Sequence, residues 1–122
     1  KALKVDSIGL VTPYIEEVAM SVANHFEDEG ITVPNVVWMD CIKDYEIARV
    51  PRQSIIDAAI KVSQGVDAVF LSCAAFRGVD CIEEIEQITG KPVVTSNQAM
   101  IWHTMRACND NSTDGPGMLF NH

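Results

Sequence analysis

The sequence predicts an α/β protein, a four-stranded parallel sheet with helices on both faces. Three observations carry that expectation. Four short apolar runs, at residues 7–11, 33–39, 66–73 and 91–95, alternate with stretches whose apolar residues recur at helical spacing. Glycine, proline and polar turn residues punctuate the boundaries between them. The third run, V-D-A-V-F-L-S-C, is apolar nearly throughout rather than alternating, which suits a strand covered on both faces. Strand and helix alternating at these spacings make βαβ units, and those build parallel sheets. The 122 residues suffice for one such domain with a real core, spanning 1–122, and are too few for two.

Taken in order, the first strand reads S-I-G-L-V and ends at Thr12-Pro13-Tyr14. Thr12 is the expected N-cap of a helix with Pro13 in its first position, where a missing N–H costs nothing. That helix turns Ile15, Val18, Ala19, Val22 and Phe26 to one face, has Glu16 and Glu17 near its positive end, and stops at Gly30. After the second strand, residues 40–49 read as a polar loop. Val50-Pro51 opens a helix carrying Ile55, Ile56, Ala59, Ile60 and Val62 and closing at Gly65. The chain leaves the third strand through Ala74, Ala75 and Gly78. It then enters a helix with Cys81, Ile82, Ile85 and Ile88 as its inward stripe and Gly90 as its stop. Ser96 follows the fourth strand as the expected cap of a last helix bearing Ala99, Trp102 and Met105. The tail from Asn109 is turn-forming and expected to run extended over the surface.

Composition excludes several classes of function. With 17 acidic and 9 basic residues the net charge is -8, which argues against nucleic acid and against an anionic membrane as partners. No apolar run approaches the roughly 18–20 residues of a membrane span, and the N-terminus shows no signal-peptide core. The four cysteines (41, 73, 81 and 108) have no C-x-x-C spacing. They suggest neither a disulfide framework nor a zinc site, and a reducing cytoplasm is the expected setting. Neither G-x-G-x-x-G nor a P-loop occurs.

Ligands of open α/β sheets bind at the carboxyl ends of strands. Cys73 is expected there, beside backbone N–H groups that lead toward a helix and favour a thiolate. The competing reading is a small packed hydrophobe. Tyr14, at the end of the first strand, either offers its phenol to the same edge or packs half-buried. Ser96-Asn97 is the third strand-end pair, as a plain cap or as a carboxylate site sharing the helix N–H groups. His103, mid-helix, reads as packed or solvated. Cys41 lies beside Asp40 and an acidic loop that disfavour a thiolate, so it reads as structural. Cys81 and Cys108 read as core, and Glu83, Glu84 and Glu86 as a solvated face.

Three segments carry a resemblance: T-P-Y-I-E-E-V at 12–18, F-L-S-C-A-A-F-R at 70–77 and G-K-P-V-V-T-S-N-Q-A-M-I-W-H-T-M-R at 90–106. Together they resemble the aspartate/glutamate racemase superfamily, within it the branch of maleate cis–trans isomerases, arylmalonate decarboxylases and ectoine-utilisation proteins. The resemblance covers nearly the whole chain. It implies two similar α/β lobes facing each other across a cleft, each with a strand-end cysteine, and no metal or organic cofactor. This chain matches the C-terminal lobe, so the resemblance implies a missing N-terminal lobe or a homo-oligomer. By the same resemblance Cys73 is the catalytic thiol. Thr12 and Tyr14 belong to the motif that binds a substrate carboxylate, and the Ala74 and Ala75 N–H groups hold a developing enediolate. Ser96 and Asn97, from their strand-end position, are expected to complete the substrate site.

The implied function is a cofactor-independent isomerase, racemase or decarboxylase lobe acting on a small dicarboxylate. The alternative is a non-catalytic half-protein that binds a carboxylate ligand or a partner lobe. Asp44-Tyr45 stands where maleate isomerases of this type place an asparagine, and C-A-A replaces C-T-N or C-G-G after the thiol. The motifs therefore leave the choice of reaction open. A flavodoxin-like or receiver domain would need acidic or phosphate-binding residues after the first strand, and these are lacking.

Overall fold

Four parallel strands, β1 (Ser7–Thr12), β2 (Thr32–Trp38), β3 (Ala68–Leu71) and β4 (Val93–Thr95), pair in the order β2-β1-β3-β4. They come from a computed structural model that describes residues 2–122. The register sets Gly9 against Asn35 on one side and Val69 on the other, and Val69 against Val93. Five helices connect or cover the strands: α1 (Glu16–Asp28), α2 (Asp44–Ala48), α3 (Arg52–Val62), α4 (Ile82–Thr89) and α5 (Ser96–Ala107).

Successive strand residues point to opposite faces, so each face builds its own core layer. On one face Val11, Val69, Leu71 and Val93 pack against Ile55, Ile56, Ala59 and Val62 of α3 and Ile82 and Ile85 of α4. On the other, Ile8, Leu10 and Ala68 pack against Ala23 of α1. There Phe26 meets Phe70 edge-on with ring centroids 5.0 Å apart. The four-stranded parallel sheet with helices on both faces is as the sequence predicts. Gly9 has a specific duty, because a Cβ there would collide with the Val62 carbonyl of α3.

Several local expectations are corrected. Thr12 is the last residue of β1 rather than a helix cap, and α1 begins only at Glu16. The Thr12 hydroxyl instead accepts the Tyr14 N–H at 3.3 Å, which turns the chain before the helix starts. Residues 44–48 are helical rather than loop, because Glu46 reaches back to accept the N–H groups of Ile42 and Lys43 at 2.9 Å each. Thr95, not Ser96, caps α5, in a reciprocal pair with Gln98.

On α4 the inward stripe runs through Ile82, Ile85 and Glu86, which leaves Ile88 exposed at 53%. Glu86, expected on a solvated face, is buried. Its carboxylate accepts the N–H groups of Val93 (2.9 Å) and Met118 (3.0 Å). Cys108, expected in the core, is exposed. Nor does the tail lie free on the surface. Leu119 and Phe120 are buried, and the Arg106 guanidinium donates to the carbonyls of Asp110, Ser112, Phe120 and His122. As expected, Gly90 ends α4 in the left-handed conformation at φ 68. No helix among the described residues is long and apolar enough to cross a membrane.

Candidate active site at the carboxyl edge of the sheet

Parallel strands end on one edge, so the turns after β1, β3 and β4 converge there. This brings Tyr14, Cys73 to Ala75, and Ser96 with Asn97 together from positions far apart in sequence. β1 and β3 are direct neighbours in the sheet, and Ser72 N–H extends their ladder by donating to the Val11 carbonyl at 2.9 Å. Tyr14 and Cys73 therefore leave adjacent strands side by side.

The Tyr14 phenol lies against the Cys73 thiol. The thiol as a hydrogen-bonding neighbour, then burial, the charge the thiol carries when ionised, and the Asp44 carboxylate push the phenol up from its ordinary 10.0 to about 12. The proton is thus held on the phenol, which stays a donor across the physiological range. Cys73 itself is half-buried.

Its backbone is unusual. Cys73 has φ 98, a region that suits glycine and costs another residue on the order of 1–3 kcal/mol. Surrounding bonds hold it there. The Cys73 N–H donates to Ser96 Oγ at 3.1 Å, Asn97 Nδ2 donates to the Ala74 carbonyl at 2.9 Å, and Phe76 N–H donates to the Cys73 carbonyl at 3.2 Å. Phe76 anchors the far side of the turn in the core. Ala74 and Ala75 are exposed, and their N–H groups have no acceptor among the described residues. Two free backbone donors beside a thiol and a phenol form a site able to bind an oxyanion.

Thr12 is fully buried, and its hydroxyl holds the turn that presents Tyr14. Cys41 sits close by. Its N–H donates to the Pro13 carbonyl at 2.9 Å and Asp40 N–H to the Tyr14 carbonyl at 3.1 Å, tying the exit of β2 to the Tyr14 turn. Burial, then Glu46, Asp40 and Cys73, push the Cys41 thiol up, which supports a structural role. Sequence reasoning missed α2, which brings Asp44 to bear on Tyr14. The available clue was Glu46 three residues after Lys43, the spacing of a helix start.

His103 is exposed on α5. It lines an apolar cavity of about 390 Å³ with Ile8, Phe26, Phe70 and Trp102, on the sheet face and away from the edge residues. No group of His, Cys, Asp and Glu among the described residues is arranged to hold a metal ion.

The family model for arylmalonate decarboxylase matches residues 1–120. The arylmalonate decarboxylase of Bordetella bronchiseptica is 27% identical over 120 residues, which are 96% of this chain and 50% of that protein. A maleate isomerase of Pseudomonas putida is 29% identical over 108 residues, 86% of this chain and 43% of its own length. A cysteine-to-serine mutant of a maleate cis–trans isomerase of Nocardia farcinica, solved with a covalently bound succinylcysteine intermediate, shares the fold. Its TM-score is 0.93 over 98% of this chain and 50% of that one, at 24% identity. The chain spans about half the length of the curated relatives it matches.

Proposed function

This chain belongs to the arylmalonate decarboxylase family, and from that premise we propose that it is the C-terminal lobe of a cofactor-independent isomerase, racemase or decarboxylase acting on a small dicarboxylate through Cys73. One observation carries the reading. At the carboxyl edge the Tyr14 phenol lies against the Cys73 thiol, beside the unused N–H groups of Ala74 and Ala75. Chemistry at the carbon next to a carboxylate passes through an enediolate, whose second negative charge is very unfavourable in water. Preorganised donors at that oxygen are worth several kcal/mol. In this reading the two alanine N–H groups hold the carboxylate, and the Tyr14 hydroxyl turns from the Cys73 sulfur to join them when substrate binds.

Cys73 works at the adjacent carbon. In racemisation or decarboxylation the thiol supplies or takes the proton. In isomerisation the thiolate adds to the double bond, allows rotation about the resulting single bond, and is then eliminated. The succinylcysteine of the Nocardia enzyme, trapped in a variant with one cysteine replaced by serine, is an adduct of that kind on a different cysteine of that protein.

The second wall of the cleft comes from another lobe or another copy of the chain. Ile15, Ile42, Val79 and Met100 stand exposed around the carboxyl ends of the strands, an apolar rim that such a partner would cover. The four cysteines, all free, suit a reducing cytoplasm.

Labelling with iodoacetamide followed by peptide mass analysis tests the assignment. Cys73 is expected to react, maleate or an arylmalonate to protect it, and Cys73→Ala to abolish turnover by the assembled enzyme. A Cys73 that stays silent while Cys108 reacts, with no protection by either dicarboxylate, refutes it. The half-length match favours a second reading, a binding lobe without chemistry. Thermal stabilisation by a dicarboxylate without turnover in any assembly would select that one.

A further inference from the structure

Ser96 and Asn97 open α5, where side chains ordinarily cap the helix. That duty is already discharged, because Thr95 Oγ1 accepts the Gln98 N–H at 3.1 Å and Gln98 Oε1 accepts the Thr95 N–H at 3.2 Å. Ser96 and Asn97 turn instead to the chain after β3. Ser96 Oγ takes the Cys73 N–H and Asn97 Nδ2 gives to the Ala74 carbonyl, so the two bonds bracket the one strained residue of the site.

We infer that Ser96 and Asn97 are positioning residues, which hold Cys73 in its left-handed backbone conformation and so aim both its thiol and the Ala75 N–H. The inference rests on the reading of Cys73 as the reacting group. The geometry follows from the planarity of the peptide. In a trans peptide the C=O and N–H point in opposite directions. Asn97, by drawing the Ala74 carbonyl toward α5, turns the Ala75 N–H of the same peptide away from it, toward the open edge. Ser96 fixes the peptide before Cys73 in the same manner. Without these bonds the residue relaxes toward negative φ, the region open to residues with a Cβ. That rotation swings the Cα–Cβ bond and takes the sulfur out of line with Tyr14. Neither side chain has to touch the substrate to control the reaction.

The test reads the Tyr14 phenol directly and needs no substrate. The chain has two tyrosines, so in a Tyr45→Phe background the phenolate absorbance reports Tyr14 alone. Ser96→Ala and Asn97→Ala are each expected to bring its titration down from about 12 toward the ordinary 10.0. Each is also expected to slow iodoacetamide alkylation of Cys73 several-fold and to leave exposed Cys108 unchanged, while Ser96→Thr retains wild-type behaviour.

An unchanged titration and an unchanged Cys73 rate in both alanine variants overturn the inference. A change in one variant only confines the role to that residue and overturns it for the other. If Ser96→Ala fails to fold, Asn97→Ala decides. Lack of dicarboxylate protection in the wild-type chain removes the functional reading, yet these two readouts still decide whether the bonds position the thiol.

Discussion

Replacing Cys73 by alanine is expected to release the Tyr14 phenol. The largest cause of its rise to about 12 is the hydrogen bond to the Cys73 sulfur, and the charge of the ionised thiol adds to it. Burial and Asp44 supply the rest and survive the substitution. Cys73→Ala therefore moves the phenol most of the way back toward 10.0 without reaching it. A rise from 10.0 to about 12 corresponds to about 2.7 kcal/mol at full strength. Because the phenol is only partly buried, solvent screening reduces this to about 1 kcal/mol.

The sign follows from the direction of the shift. A phenol whose folded value lies above its unfolded one stabilises the fold fully below 10.0 and loses that contribution as pH rises through about 12. The stability difference between wild type and Cys73→Ala is thus expected to shrink across that window. The assay is a spectroscopic titration of the Tyr45→Phe chain with and without Cys73→Ala, paired with urea unfolding at several alkaline pH values. If Tyr14 titrates identically with and without the sulfur, the bond between them is absent and the site as described is wrong.

Other perturbations probe the scaffold. Glu86→Ala strands the buried N–H groups of Val93 and Met118 and is expected to cost about 3 kcal/mol in denaturant unfolding; a loss under about 1 kcal/mol, the scale of one ordinary hydrogen bond, contradicts the described role. Gly9→Ala drives a Cβ into the Val62 carbonyl, a backbone atom that cannot swing aside. A loss of about 1–3 kcal/mol or more is expected, and a neutral melting curve would mean that α3 does not lie so close to β1. Cys41 is expected to be alkylated more slowly than exposed Cys108 at neutral pH, since burial and its acidic neighbours hold its proton in place; a Cys41 that reacts first counts against that environment.

Much of the site is legible in the sequence because parallel strands share one edge. Once residues 7–11, 66–73 and 91–95 are read as parallel strands, Tyr14, Cys73 and Ser96 must emerge on the same side of the sheet. No knowledge of strand order is needed. Local apolar spacing carries that much, and it also locates Gly90 as a stop and Cys81 as core.

The misreadings have a common origin in competition between neighbouring polar groups. Thr12 and Ser96 are both good caps by type. The structure spends the Thr12 hydroxyl on Tyr14 N–H and the Ser96 hydroxyl on Cys73 N–H, and Thr95, one residue earlier, caps α5 instead. Glu86 looks like one more solvated acid until β4 and the tail bring two backbone donors to it.

Sequence alone therefore determined the fold class, the edge where chemistry is expected and the residue types present there. Those follow from hydrophobic periodicity and turn chemistry, which act over a few residues. Tertiary structure decided the rest: the order β2-β1-β3-β4 that makes Tyr14 and Cys73 neighbours, the left-handed backbone at Cys73, and the bonds from α5 that keep it there. A strained φ is invisible in a cysteine's own sequence context, because the groups that compensate it lie 23 residues further along and meet it only after the sheet has formed.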